Sequence, residues 1–268
     1  MNLSELKAGV LFAKRYRVEK VLGAGGMGLV FKANDEQLKI RVAVKVLLKA
    51  ASNNDNELLM AARRLKDEAR ATAMLSIPYL VKVFDAGEEP GIGPYIVYEF
   101  LPGVSLEDRI GEGELGAAQA MKLVIRPLLL GLAALHEKGI IHRDVKPGNL
   151  FKGHDGTYLL GDLGLAYFAD KEARTKTGAV VGTMHYVALE RIANSVIVAD
   201  SSDDCYAAAH TIIKTLTGKH LRNLLPHHYP LLGKKAKPLT ADALATCGIT
   251  IGMAQPLVKA VQWDRESR

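Results

Sequence analysis

Between residues 16 and 48 apolar and polar positions alternate in short runs broken by glycine: YRVEKVL, GAGGMG, LVFKAND and KIRVAVKVLL. A period of two in runs rich in Val, Ile, Phe and Tyr predicts three antiparallel strands. The period then changes. In ELLMAARRLKDEARATAML, Ala, Leu, Met, Arg and Glu recur at helical spacing with no interior Gly or Pro, which predicts a helix. LVKVFDAGE and YIVYEFL return to strand patterning, so residues 16–101 read as a small lobe of about five strands and one helix.

After LPGVSLEDRI the pattern becomes helical again. AAQAMKLVIRPLLLGLAALHEKG predicts a long, largely apolar helix with a Gly near its end and a bend at Arg126-Pro127. LF at 150–151 and YLL at 158–160 predict two short buried strands, followed by an irregular stretch over 162–190. CYAAAHTIIKTLTG and AQPLVKAVQ predict further helices. The expected fold class is therefore α+β and bilobal, with an N-lobe at 16–101, a mainly helical C-lobe at 102–268, a hinge at PGV near Gly103 and an N-terminal extension at 1–15. There are no internal repeats, and KKAKP near residue 234 reads as a short solvated basic loop.

Composition narrows the classes. A chain of 268 residues with 49% hydrophobic content is long and apolar enough to bury a sizeable core. Its net charge of +6 lacks the Lys/Arg block interleaved with aromatics that marks a nucleic-acid surface, so the charge is expected to serve solubility and anionic small ligands. Cys205 and Cys247 form no C-x-x-C, which excludes a disulfide framework or a thiolate zinc site and suits a reducing, cytoplasmic compartment. Cys205 reads as a buried small apolar residue, and His227 and His228 as plain loop residues. MNLSELKAGV has no basic region followed by an apolar run, and no window of about twenty residues is free of charge, so neither export nor membrane contact is expected within these residues. Beyond WDRESR a linker or membrane anchor remains open.

Three stretches carry chemistry. LGAGGMGLV sets Gly23, Gly25 and Gly28 in a G-x-G-x-x-G-x-V array, which glycine-rich hairpins and nucleotide loops share. Because it lies between strand-like runs rather than opening a helix, it predicts a hairpin lid and not a dinucleotide turn. Such a lid lays backbone N–H groups over phosphate oxygens. In VAVKVL, Lys45 faces away from Val44 and Val46. It is either a solvated strand lysine or a phosphate ligand held by Glu68 in RRLKDEARA; Arg63, Arg64 and Asp67 leave a surface role for Glu68 open. HRDVKPGN packs His142, Arg143, Asp144, Lys146 and Asn149 around a Pro-Gly, ordinarily the composition of a solvated turn. Its flanks, GLAALHEKGII and YLLGDLGLA, are apolar and pin it, which favours a functional loop.

Taken in order, GAGGMGLV, VAVK, a helical Glu, HRDVKPGN, GDLG and ALE resemble the protein-kinase superfamily over nearly the whole chain. With Lys146 two residues after Asp144, the wording is similar to bacterial eukaryotic-type (Hanks-type) serine/threonine kinases. That resemblance implies ATP as phosphoryl donor, Mg2+ as metal with Mn2+ as the alternative, and protein Ser/Thr hydroxyls as acceptors. It implies that Asp144 orients the hydroxyl and takes its proton, that Lys146 steadies the γ-phosphate, and that Lys45 with Glu68 holds the α- and β-phosphates. Asn149 and Asp162 would hold the metal. Leu22, Gly23, Ala24, Gly25, Gly26, Met27, Gly28, Val30 and Ala43 would surround the nucleotide, with Val30 on the adenine. Tyr98 takes the gatekeeper position, and the backbone of Glu99, Phe100 and Leu101 the adenine edge. His142 braces the loop. Arg143 implies control by a phosphorylated loop residue, for which Thr175 and Thr177 are the autophosphorylation candidates, with self-association as the route. Thr183 resembles the loop threonine that bonds the catalytic Asp.

The chain departs from the family pattern in four places. Leu163 replaces the commonest Phe, Leu189 replaces a Pro, and the partner of Glu190 would be Arg268. Asp204, which the resemblance implies holds the backbone of the Asp144 loop, is kept, but Ala207, Ala208 and Ala209 replace Ser-Leu-Gly. These changes bear on substrate-loop packing more than on ATP chemistry. The competing functions are an ATP-binding pseudokinase module and a small-molecule phosphotransferase of the aminoglycoside type.

Overall fold

The computed structural model describes residues 5–25, 28–46, 77–113, 115–162, 183–193, 200–228 and 237–262. These residues divide into two compact units, with a change of unit between Pro102 and Gly103.

The first unit holds the described residues up to 46 together with Val81–Pro102. Its six strands are β1 (Leu11–Phe12), β2 (Tyr16–Gly25), β3 (Gly28–Asp35), β4 (Ile40–Val46), β5 (Val83–Glu89) and β6 (Gly93–Glu99), all antiparallel, in the order β1-β2-β3-β4-β6-β5. The sheet has one strand more than patterning predicts. β1 is two residues long, too short to show a period, and pairs Leu11 with Arg17 and Phe12 with Tyr16. The turn between β1 and β2 puts both Ala13 (φ 49°) and Lys14 (φ 53°) in the left-handed region, a geometry glycine or asparagine normally supplies.

Strand alternation sorts the sheet into two faces. Phe31, Ala33, Val42, Val44, Val46, Tyr95 and Val97 are buried in one cluster with Phe12 and Tyr16. Phe12 meets Phe31 and Tyr95 edge-on at 5.3 and 5.0 Å, a geometry that aromatic quadrupoles favour. The other face carries Ile96, Tyr98 and Ala86, with Ala43 packed against them.

A polar network closes one end of this unit. Asp35, 1% exposed, takes hydrogen bonds from Arg15 Nε and Nη2 and from the N–H groups of Gln37 and Leu38. Arg15 Nη1 and the Tyr16 hydroxyl both reach Asp85 Oδ2, at 3.0 and 2.9 Å. Burial alone would raise the Asp35 pKa; the bonds from Arg15, Leu38 and Gln37 outweigh it and hold the carboxyl below the usual range.

The second unit contains Ile77–Leu80, Gly103–Asp162 and the described residues from 183 onward. Its elements are α1 (Leu106–Gly111), α2 (Ala117–Ala120), α3 (Arg126–His136), β7 (Leu150–Lys152), β8 (Tyr158–Leu160), α4 (Leu189–Ala193), α5 (Ser201–Thr217), α6 (Leu221–Leu224), α7 (Ala241–Ala245) and α8 (Ile251–Ala260). Gly103 is obligatory at the start. A Cβ there would lie 2.6 Å from the Cβ and the carbonyl oxygen of Lys152.

The long apolar helix predicted over 117–139 forms as α2 and α3 joined by a π turn at Met121–Ile125, in which Arg126 N–H bonds Met121 O. Pro127 explains the irregularity: it has no N–H to give Leu123, and its ring presses on that carbonyl, so the preceding turn widens. Ala117–His136 is long and apolar enough, by length and composition, to cross a membrane. Ala120, Val124, Ile125, Leu128, Leu132 and Leu135 on it are buried inside the protein.

α5 is the central helix of this unit. Asp200 caps it by accepting from Ser202 N–H, and Gly218, left-handed at φ 70°, ends it. Residues 206–215 are all buried. Lys214, 7% exposed, is ion-paired with Glu107 on α1. Cys205 corrects an expectation, because it is exposed. Asp203 and Asp204 turn inward in the same helical turn, and the next position, about 100° further round, faces out. The helix predicted for 57–75 lies outside the described residues.

Candidate active site

HRDVKPGN forms a loop that leads through a single 3-10 turn, Pro147–Asn149, into β7. One buried side chain holds its backbone. Asp204, 0% exposed, accepts from the N–H groups of His142 (2.8 Å) and Arg143 (2.7 Å) and from His136 Nε2 (2.8 Å). Arg143 adopts φ 67°, a left-handed conformation that a non-glycine residue holds only under constraint, and Asp204 supplies that constraint.

His142 is fully buried and bonded at both ring nitrogens. Its Nδ1 accepts from Asp144 N–H at 3.3 Å, so the proton sits on Nε2 and is donated to Gly161 O at 2.9 Å. Gly161 N–H in turn donates to Asn149 O. The residue before Asp162 is thus tied twice to the loop, and Asp162 itself is left-handed at φ 65°. Asp144, 9% exposed, has Lys146 Nζ at 2.8 Å from both carboxylate oxygens and Asn149 Nδ2 at 2.8 Å from Oδ2. Asn149 Nδ2 also donates to Asp144 O, which leaves its side-chain oxygen as an acceptor. Asp144, Lys146, Asn149 and, through Gly161, Asp162 are therefore one hydrogen-bonded assembly.

In the sheet unit the register places the remaining candidates. Val30 pairs with Lys45 and Lys45 with Ile96; one step along, Ala43 pairs with Tyr98. Directly opposed residues share a face, so Val30, Ala43, Lys45 and Tyr98 lie on the face away from the aromatic core. Lys45 is 8% exposed. The glycine array forms a hairpin, with Gly23 opposite Val30, Ala24 opposite Leu29 and Gly25 opposite Gly28. Leu22 stands exposed beside it. Of the expected adenine-edge groups, the N–H of Glu99 is already spent on Lys82 O. Phe100 packs under Lys32, whose Nζ is 4.8 Å from the ring centroid, and Leu101 follows.

Gly26, Met27, Glu68, Leu163, Thr175, Thr177 and Arg268 lie outside the described residues. Thr183 opens the 3-10 turn Thr183–Tyr186. In that turn His185 stacks on His220 at 4.2 Å, and Tyr186 meets the same ring edge-on. Burial first, then Lys214 and His185, push His220 down to about 4, against the opposing effect of Glu107. Burial, then Arg222 and Lys214, lower His185 as well, so both rings favour the neutral form.

Motif reading did not single out His136 as a working residue. The available signal was a polar ring in the last turn of an otherwise apolar helix, six residues before the loop. The loop N–H groups on Asp204 match the expectation for that residue; its third partner, His136, becomes visible only when α3 and α5 come together.

The protein kinase domain family matches residues 16–227. The chain belongs to the protein kinase family. Its antiparallel-sheet unit and mainly helical unit are the two parts of the bilobal α+β kinase fold. Among bacterial relatives it is 33% identical over 212 residues to the serine/threonine-protein kinase PrkC of Bacillus subtilis, covering 79% of this chain and 32% of that protein. It is 34% identical over 234 residues to the serine/threonine-protein kinase PknL of Mycobacterium bovis, covering 87% and 55%. With the probable serine/threonine-protein kinase PknB of Lactococcus lactis it shares 35% over 215 residues, covering 80% and 33%. The kinase-family chain therefore spans a third to just over half the length of these curated relatives.

Proposed function

We propose that this chain transfers the γ-phosphoryl group of ATP to serine and threonine hydroxyls of proteins. The observation that carries the reading is the buried Asp144 carboxylate, fixed by Lys146 and Asn149 on a loop whose backbone is held by Asp204. Phosphoryl transfer asks for positioning and charge stabilisation rather than covalent chemistry, and this loop offers a carboxylate acceptor, a cation and an amide oxygen on a rigid frame. Asp144 would accept the hydrogen bond of the incoming hydroxyl and draw off its proton as the oxygen attacks. Lys146, already on Asp144, would shift its hydrogen bonds to the transferring phosphoryl group. On the sheet unit, Lys45 would bind the α- and β-phosphates with Glu68 as its partner, the glycine hairpin would cover them, and Val30, Ala43 and the backbone of Leu101 would receive the adenine.

Asn149 and Asp162 supply hard oxygen donors, which suit Mg2+ or Mn2+. Held by those two side chains, such an ion would supply positive charge against the phosphates. Arg143 would receive a phosphate on Thr175 or Thr177, placed there by self-association of two copies, and Thr183 would bond Asp144. Two free cysteines suit a reducing cytoplasm.

Incubation with labelled ATP and a generic basic protein tests the reading. The expected result is label on Ser or Thr of the acceptor and on the chain itself, falling by about 100-fold or more in Asp144→Asn. ATP binding without transfer would replace the proposal with a nucleotide-binding module, and transfer only to small molecules with a small-molecule phosphotransferase. Mass spectrometry of an active preparation in which Thr175 and Thr177 are both unmodified would remove the activation-loop part.

A further inference from the structure

The first turn of α5 carries two adjacent carboxylates with different partners. Asp204 reaches the catalytic loop and α3, as described above. Asp203, 8% exposed, reaches the other way: its Oδ2 accepts from Arg191 Nη1 on α4 at 3.1 Å and from Asp200 N–H at 3.1 Å. Successive residues on a helix point about 100° apart, so one rigid turn can grip two different segments.

α4 needs such a grip. Leu189–Ala193 is five residues long, far below the length at which a helix persists without tertiary contacts. It follows directly on the Thr183–Tyr186 turn, which is fastened at its own end by the stack of His185 on His220. Leu189 stands where the family pattern has Pro, so this segment lacks one source of backbone stiffness. The Arg191–Asp203 ion pair, with side-chain exposures of 20% and 9%, fastens it by side chain instead. A half-buried arginine–carboxylate bond is stronger and more directional than a surface pair.

We propose that Arg191 is a positioning residue for the protein substrate. Through Asp203 it fixes the Thr183–Tyr186 segment to the same helical turn that holds the Asp144 loop, so the acceptor hydroxyl and the catalytic carboxylate share one frame. Neither residue is among those assigned above to ATP or to the reacting atoms. The inference rests on the kinase reading above, and its effect is confined to the protein acceptor.

Steady-state transfer to a Ser/Thr peptide, with peptide and ATP varied in turn, tests it. In Arg191→Ala the peptide kcat/KM should fall by about tenfold to 100-fold while the KM for ATP stays within about twofold. Arg191→Lys, which keeps the charge without the planar fork, should recover part of the loss. Asp203→Asn keeps an oxygen for Asp200 N–H and should match Arg191→Ala. The double variant should be no worse than either single one, because both remove the same link. Should Arg191→Ala not fold, Arg191→Lys and Asp203→Asn carry the same comparison. Peptide kinetics within twofold of wild type in these variants, equal losses on both substrates, or additive losses in the double variant would overturn the inference. A wild-type chain that transfers to no acceptor would overturn the proposed function, and with it any role for Arg191 in positioning one.

Discussion

Two buried aspartates organise the two units of this chain over different sequence ranges. Asp204 accepts from two peptide N–H groups and one imidazole. Asp35 also accepts from two peptide N–H groups, those of Gln37 and Leu38 in its own turn, and from the Arg15 guanidinium, which also bonds Asp85, the acceptor of the Tyr16 hydroxyl. Asp204 fixes a remote backbone, because peptide N–H groups 62 and 61 residues away cannot swing away from it; Asp35 fixes its own turn and adds a cation, Arg15, which is still 22% exposed and can exchange its partner for water. An acid that binds main-chain groups distant in sequence defines the path of a loop, whereas one that binds its own turn and a flexible cation mainly adds local stability.

The sharpest way to break the comparison is Asp204→Ala. Two buried N–H groups lose their acceptor, and the left-handed Arg143 loses its constraint, so about 3 kcal/mol or more of stability should go, together with phosphoryl transfer. Chemical denaturation and the labelled-ATP assay read the two losses. If Asp204→Ala folded with normal stability, the contrast would collapse. Asp35→Ala comes next, at about 2 kcal/mol, because Arg15 can turn to solvent while the N–H groups of Gln37 and Leu38 remain to be satisfied. Under native conditions transfer should continue, and a matching loss of activity would show that the two aspartates do the same work. Tyr16→Phe removes one hydrogen bond to Asp85 and leaves the ring in the aromatic core, so about 1 kcal/mol is expected from the same denaturation curves.

The smallest effect sharpens the electrostatic half. The Asp35 carboxyl is held below its ordinary pKa, so its contribution is complete above the unfolded value of about 3.9 and disappears as pH falls through the folded value. The stability gap between wild type and Asp35→Asn should therefore be constant near neutral pH and narrow below about pH 4. A gap that stays constant to pH 2 would mean that packing, not charge, carries the site.

Where patterning succeeded, the signal was local. The strands β2 to β6 announce themselves by alternation, and the face of Lys45 follows from its valine neighbours. The clustering in HRDVKPGN was legible because Asp144, Lys146 and Asn149, which bond one another, lie within a few residues. The losses were of another kind. β1 is too short to have a period, and the π turn comes from competition between Pro127 and the ladder of the helix. His136 and Arg191 owe their roles to partners 68 and 12 residues away. Cys205 was misplaced because its apolar character suggests burial, while its phase on α5 is set by the two acids before it.

The π turn in the long helix also bears on how this chain can change length. Because Arg126 bonds back to Met121, the turn already houses one residue more than an α-helix needs. Loss of the exposed Lys122 would let an ordinary turn re-form, with Ala120 before it and Leu128 after it still facing the same core. The strands have no such slack. A one-residue slip in β4 would turn Lys45 into the aromatic core and Val44 out of it. Insertions and deletions that the helix absorbs as a change of winding would, at Lys45, exchange the two faces of the sheet.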